Sequence, residues 1–491
     1  MRSSIRLIAM AAAALLAAPA AAQTNGFVLH CLSARAAGAG CVTRGAPGQP
    51  TSLFRDPAGI ASAGNALEVN LSAFTPQIQF RNGANPDWQN GSLHSYPMFS
   101  GAYAERLSPR LAWAIGVEPV GGFGSDFRLN HALLGPATPY QSFFAGLKAG
   151  PALAWEMLPG LSVGVSSSIV YGQIRQFHMP FTMAPTAAKG LAMLAGMDEH
   201  YPALFSGIPE LTAYGRADHF AGSAFIGSVG LSWQPSPKLR IAGSWTPQKA
   251  LNMDGGWATL DLSKQMQAFF GALVQERMTK HEQTQQQAQA YVAAMLAQAG
   301  IDPSKAPVGH YGAWTRMTMP QTAGVGATLR AGRWLLGLEG EWMDWSRAAV
   351  NMPFTLRGGD NATVNLLVNG DPANGDFDYP FPLNWKDSWS LRAGAERGFA
   401  SGNALRAGFI TGRNPVPAQT VIIAFPAVSR SSLTLGGTLN VGGMPLDVAV
   451  VHAFSSSQPG DPNTHLAGRE YLGSDTRLSE TVVTFGTVLQ F

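Results

Sequence analysis

From Leu67 to the C-terminal Phe491 the chain alternates apolar and polar positions with a period of two, the mark of half-buried strands. In "SAFIGSVGLSW", Phe225, Val229, Leu231 and Trp233 share one face with Gly227, while Ala224, Ser228, Gly230 and Ser232 share the other. "RWLLGLEGEWMDW" sets Trp334, Leu336, Leu338 and Trp342 against Leu335, Gly337, Glu339 and Glu341. "SWSLRAGAER" and "NALRAGFI" repeat the arrangement, with Arg392, Glu396 and Arg406 on the polar side. Tight connections ("LSPR", "PSPK", "RAGR") alternate with long polar segments, Gln176 to Gly222 and Asn252 to Thr315.

A water-soluble sandwich also alternates, so the period alone does not name the solvent. Short turns at one rim and long loops at the other describe a transmembrane β-barrel. Trp113, Trp155, Trp233, Trp334 and Trp389 are placed beside short turns, where an interfacial girdle belongs. The last segment, "ETVVTFGTVLQF", carries Val483, Phe485, Leu489 and the terminal Phe491 on one parity. The fold class is therefore all-β, an antiparallel barrel of about 14 strands spanning residues 67–491, even-numbered as single-chain bacterial barrels are.

The preceding residues differ. Arg2 and Arg6 stand before the apolar run "LIAMAAAALLAA", and Ala20 to Ala22 offer a small-residue cleavage site, so residues 1–22 read as a signal peptide. Residues 23–66 are rich in turn formers and have no clear periodicity. Cys31 and Cys41 are the only cysteines. In an oxidising compartment they would close a small loop and stabilise it by about 2–3 kcal/mol; two unpaired small apolar residues are the alternative.

Composition narrows the function. Charged residues are only 13% of the chain, about half the usual quarter, and there are 56 glycines. The net charge of +3 includes Arg2 and Arg6, and no Lys/Arg cluster suits a nucleic acid. HExxH, GxSxG on a strand-to-helix turn, and Cys-x-x-Cys are all missing, so the chain does not read as an enzyme, and no cofactor or metal is expected. His178, His200, His219, His281 and His310 fall in predicted loops without ligand spacing, and Asp371, Asn374, Asp376 and Asp378 read as a solvated loop. Inward Glu339, Glu341, Arg392, Glu396 and Arg406 must pair or be wet, and read as a structural network.

Three further stretches are candidates. "GVEPVGGFGSDF" breaks the third strand's alternation with Pro119, Gly121, Gly122 and Gly124, residues that bend or bulge a ladder. "LSKQMQAFFGALVQERM" repeats Leu262, Met266, Phe269, Phe270, Leu273 and Val274 at helical spacing, and "AAKGLAMLAGM" adds Leu191, Met193, Leu194 and Met197. These stripes either pack helix on helix or form an outer groove of adaptable Met and Phe that collects apolar ligand.

The exported segment with the step "RDPAGIA", the strand count, and the ordered pieces "LSVGVSSSIVYGQIRQF", "MPQTAGVGATLRAGRWLLGLEGEWMDWS", "WKDSWSLRAGAE", "NALRAGFITGRNPVPAQ" and "SRSSLTLGGTLNV" together resemble the FadL/TodX long-chain fatty acid and hydrocarbon channels. The resemblance covers nearly the whole mature chain. It implies that residues 23–66 are a hatch plugging the barrel, in a monomer of the bacterial outer membrane bathed by lipid and lipopolysaccharide. Passive uptake of long-chain fatty acids is implied first, and of neutral aromatic or aliphatic hydrocarbons second. A general porin and a lipid hydrolase are the remoter alternatives.

The family carries its functional residues onto this chain as follows. Phe27 reaches the substrate pocket, Arg175 matches a basic residue for a carboxylate, and the third-strand interruption is a lateral exit. Arg55, Asp56, Pro57 and Ala58 form the hatch latch, with Asp56 where the family usually has Asn. Asp56 is expected to cap backbone N–H groups and Arg55 to meet an inward carboxylate of the wall. Arg175 shares parity with Val163, Val165 and Tyr171, so it faces lipid or lipopolysaccharide phosphate unless a bulge turns it inward.

Overall fold

The computed structural model describes residues 24–183, 210–302 and 304–491. Residues 1–22, expected to be a signal peptide, and the candidate groove residues Leu191 and Leu194 lie outside them.

Fourteen antiparallel strands close into a barrel. They are β1 (Ala66–Asn82), β2 (Tyr96–Ser108), β3 (Leu111–His131), β4 (Gly135–Leu158), β5 (Leu161–Met183) and β6 (Leu211–Ser236). Next come four strands in two pieces each: β7 (Leu239–Thr246, Lys249–Asp261), β8 (Val308–Met319, Thr322–Ala331), β9 (Trp334–Met343, Asn351–Arg357) and β10 (Phe377–Pro382, Ser388–Gly398). The last are β11 (Ala404–Gly412), β12 (Ser431–Val441), β13 (Met444–Pro459) and β14 (Asp475–Gln490). β14 pairs with β1 from Asp475↔Arg81 to Gln490↔Ala66, which leaves no open edge there.

The burial pattern is inverted relative to a water-soluble protein. Phe225, Leu338, Leu405 and Leu435 are among the most exposed side chains, whereas Glu68, Asn70, Glu339, Arg392 and Thr434 are buried. Only a hydrocarbon surround makes that arrangement favourable. Trp113, Trp155, Trp233 and Trp334 stand near the short turns. Trp389 does not: it pairs with Trp342, and through Ala323 that row continues to Trp245, at the other rim. Trp334 and Trp342 are eight residues apart on one strand, about 20 Å along the membrane normal at a strand tilt near 40°. Two girdles, not one, bound the greasy band.

The strands outrun the membrane. β6 has 26 residues, more than double a bilayer crossing. The ends of the segments that looked like polar loops are therefore ladder, and His178, His219 and His310 lie on strands. Beyond the far rim, helices α2 (Ser263–Lys280) and α3 (Gln285–Gln298) form the loop between β7 and β8.

The hatch fills the lumen. Ser33 accepts a bond from Ala36 N and so caps a short helix, Ala34–Gly38, and Cys31 and Cys41 are disulfide-bonded beside it. Two 3-10 turns follow, Pro50–Phe54 and Pro57–Ser62. The wall is glycine-lined where the hatch touches it. A Cβ on Gly164 would collide with Pro57–Ala58, and one on Gly394 or Gly408 with Ala39–Gly40. Backbone rests directly on backbone.

Candidate functional site

The hatch is held by a buried ion network. Glu339 accepts from Thr43 N at 2.6 Å, Arg44 N at 2.9 Å, Arg392 Nη1 at 3.0 Å and the Arg44 guanidinium. Glu341 accepts from Arg44 Nη2 at 2.9 Å and from Arg392, and lies 3.8 Å from Arg55 Nη1. Arg406 serves a second, wall-only cluster with Glu396 at 2.6 Å and Asp447 at 3.0 Å.

The latch adjoins this network through Arg55. Asp56 is fully buried and accepts from Gly59 N at 3.0 Å and Gly45 N at 2.9 Å, tying two hatch segments together. Arg55 donates to Leu29 O at 2.5 Å, and its own carbonyl accepts from Ser244 of β7 at 2.5 Å. Pro57 starts the second 3-10 turn, and Ala58 is small enough to lie against Gly164.

Among the described residues, three chambers line the lumen. The uppermost is walled by Phe181, Met183, Leu260, Phe354, Phe377 and Tyr379, an apolar lining. A second includes Phe27, Met317, Met352, Trp385 and Phe425. A file of tilted and edge-on rings connects the two. Phe181–Phe177, Phe177–Phe425, Phe425–Phe123 and Phe123–Phe27 have centroids 5.9, 5.5, 4.3 and 6.4 Å apart. Phe425 belongs to the β11–β12 loop, whose Val421, Ile422 and Ile423 are completely buried in the lumen.

Phe27 is only 5% exposed and meets Trp345 edge-on at 4.9 Å and Phe144 at 5.7 Å. Val28, the next residue, faces the third chamber, so this hatch segment partitions the lumen. The third chamber is mixed: Val120, Val170 and Ile226 share it with Arg55, Lys148, Ser168, Ser228 and Thr246. Lys148 Nζ is 3.0 Å from Glu118 and 4.7 Å from the centre of the Phe54 ring. Among the described residues Arg55 Nε has no hydrogen-bond partner.

Beside this chamber the wall is incomplete. The β2–β3 ladder runs from Ser108↔Leu111 only to Gly101↔Val117, although β3 continues to His131. At Pro119 and Gly121 the register against β4 shifts, and Gly121 has φ +144°, a conformation closed to L side chains without strain. Val28 of the hatch pairs with Gly121, and Gly122 N donates to Phe27 O at 3.0 Å. Above the gap, Ser92 N donates to Asp126 O at 2.8 Å. Gly124 lies between, where a Cβ would crowd Ser142 O and the Tyr96 hydroxyl.

Two expectations need correction. A bulge does fall at Arg175, but it leaves Arg175 exposed on the outer wall, its guanidinium 5.2 Å from the Phe143 ring centre and Nε 3.5 Å from Gln173. A bulge places two successive residues, here Arg175 and Gln176, on one face, so inward parity resumes only at Phe177. In α2, Phe269 and Leu273 are buried in the core, while Met266 and Phe270 remain partly exposed at its edge. The groove reading keeps only the latter pair among the described residues.

Sequence reasoning gave no role to Arg44, Lys148 or Glu470. Glu470, in the β13–β14 loop, accepts from the Tyr140 hydroxyl, and His131 Nε2 is 3.8 Å away. Burial pushes its carboxyl up to about 8 against the opposing bond from Tyr140. In the same loop burial lowers His465 to about 4. Among the described residues no acid, His and Cys group is arranged to hold a metal.

The crystal structure of a FadL homologue from Pseudomonas aeruginosa superposes with a TM-score of 0.66 at 14% identity, covering 95% of this chain and 100% of that one. The toluene transporter TodX of Pseudomonas putida gives 0.65 at 13%, again with 95% and 100% coverage. The toluene transporter TbuX of Ralstonia pickettii gives 0.58 at 16%, with 92% and 97% coverage. Comparison with curated proteins gives no match. The model of the family described as outer membrane protein transport protein (OMPP1/FadL/TodX) matches residues 14–491. With that match over nearly the whole chain, and the plugged fourteen-stranded barrel beneath it, the protein belongs to the OMPP1/FadL/TodX family of outer-membrane transporters of hydrophobic compounds.

Proposed function

We propose that the protein takes up long-chain fatty acids and similar apolar carboxylates, which pass the stacked aromatic chambers, displace Phe27 and leave sideways at the β2–β3 gap. The observation that carries this reading is the mixed chamber below Phe27, where Arg55 and Lys148 face a space continuous with apolar Val120 and Ile226. An acyl chain gains about 0.8 kcal/mol per methylene removed from water along the upper path. A carboxylate then finds Arg55, whose Nε lacks a partner among the described residues, and the two cations offset the cost of desolvating it. The protein is proposed to act as a monomer, since its conduit is complete within one chain.

A second reading, uptake of neutral aromatic hydrocarbons, is favoured by the ring-lined upper chambers and by two solved neighbours named as toluene transporters. Labelled oleate and toluene, offered to cells with and without the protein, separate the two. Arg55→Gln with Lys148→Gln should cut oleate uptake about tenfold, the loss of one charge-assisted bond, and leave toluene uptake unchanged. Uptake of toluene alone would establish the second reading. Equal accumulation of both probes with and without the protein would remove transport itself. Phe27→Ala should speed passage of either probe while weakening its retention; identical kinetics would show that Phe27 is a fixed anchor.

A further inference from the structure

On the outer wall, at the seam where β14 closes on β1, two guanidinium groups share one indole. Arg81 Cζ lies 4.6 Å from the Trp88 ring centre and Arg477 Cζ 4.0 Å. Trp88 comes from the hairpin strand Asn85–Asn90 that folds back beside β1. Arg477 Nη1 donates to Gln79 at 3.2 Å, and Arg81 Nη2 to Asp475 at 3.3 Å. Among the described residues, Arg81 thus has one carboxylate partner and Arg477 has none. Two like charges held on one ring repel each other and Asp475 offsets only one of them, so the pair retains a net positive charge that a second anion would neutralise.

Its height names the layer it meets. Outward residues of β1 are apolar through Leu67, Val69, Leu71 and Ala73, then polar at Thr75, Gln77, Gln79 and Arg81. The facing residues of β14 change at the same level, from Phe485 and Val483 to Thr481, Ser479 and Arg477. Arg477 pairs with Gln79, four residues above Thr75, about 10 Å above the edge of the hydrocarbon at the usual tilt. That is where phosphate groups of the outer leaflet's glycolipid lie over its acyl chains.

We propose that Arg81 and Arg477, splayed and held by Trp88, bind a phosphate of that glycolipid, with its acyl chains lying on the greasy wall below. Stacking on the indole fixes each planar fork while leaving edge N–H donors free, the geometry that suits phosphate oxygens. Arg175, also stacked on an outer-wall ring, is a lone cation of the same kind on the far side of β3.

The test uses the purified full-length protein in detergent, with native mass spectrometry after titration by bisphosphorylated lipid A, the same lipid dephosphorylated, and inorganic phosphate. Wild type should retain lipid A at least about tenfold better than the dephosphorylated lipid, the factor expected from one charge-assisted contact. R81Q/R477Q should lose that preference, and R81K/R477K, which keeps charge but not the forks, should fall between. Unchanged lipid A retention in R81Q/R477Q, or equal retention of the dephosphorylated lipid, overturns the proposal. Inorganic phosphate should bind far more weakly; affinity equal to lipid A would make this a free-anion site and overturn the lipid assignment. Heat-modifiable gel migration confirms that each variant is a closed barrel.

Discussion

Glu339→Gln is the sharpest probe of what keeps the lumen shut. The carboxylate holds two consecutive hatch N–H groups, Thr43 and Arg44, and two guanidiniums, one from the hatch and one from β10. An amide keeps the shape but leaves Arg44, Arg55 and Arg392 with Glu341 alone. Breaking one partner of a buried pair costs about 3–5 kcal/mol, because the remaining charge stays desolvated. Hatch opening should therefore become about a hundred- to a thousandfold more frequent. Hydrogen–deuterium exchange of peptides covering residues 34–46 measures this directly, and planar-bilayer conductance should rise with it. Glu396→Gln, in the wall-only cluster around Arg406, should change neither. Unaltered exchange and conductance in Glu339→Gln would refute the idea that this network seals the barrel.

Two other perturbations address the latch and the outer loops. Gly164→Val would drive a side chain into Pro57–Ala58 and should loosen residues 50–62, read as proteolytic nicking there, while the same change at Gly243, which faces only Gly324 O at 3.5 Å, should not. Glu470 predicts a pH effect. Its folded carboxyl is raised from 4.5 to about 8, so the native loop holds a proton that the released loop gives up between those values. Docking of residues 460–474 is strongest below the lower value and loses that contribution as pH rises through the upper one. Limited proteolysis of the loop should thus quicken from about pH 5 to about pH 9, and Glu470→Gln should flatten the profile; a flat profile in wild type would contradict it.

Most of the wall was legible because alternation is a local code. Each strand's faces follow from its own residues, and Phe225, Leu338 and Leu405 lie outside as their parity demands. Parity fails past a bulge: Arg175 lies outside with Tyr171, as its parity demands, but the extra residue leaves Gln176 on the same face, and nothing in "YGQIRQF" marks the spot. Trp389 was misplaced for a related reason, since a strand interrupted at 383–387 hides its distance from the turn. The latch was readable from Asp56-Pro57, a capping pair with its own turn chemistry. Arg44 and Lys148 were not: the role of Arg44 depends on Glu339, which only seating of the hatch in the barrel brings close, and that of Lys148 on Glu118, set opposite it by the register of β3 on β4. The loop bearing Val421 to Phe425 has no period at all, and its apolarity reads equally as a strand.

Thr24 of the hatch lies 3.2 Å from Glu480 of β14, a sequence separation of 456. The seat of the plug is thus finished by the strand that closes the barrel. A chain shortened before β14 has a hatch but no complete socket to receive it, so sealing is a late event in assembly, paced by distant contacts rather than by the hatch itself. Correct closure of the wall and correct seating of the stopper become a single checkpoint for the newly made protein.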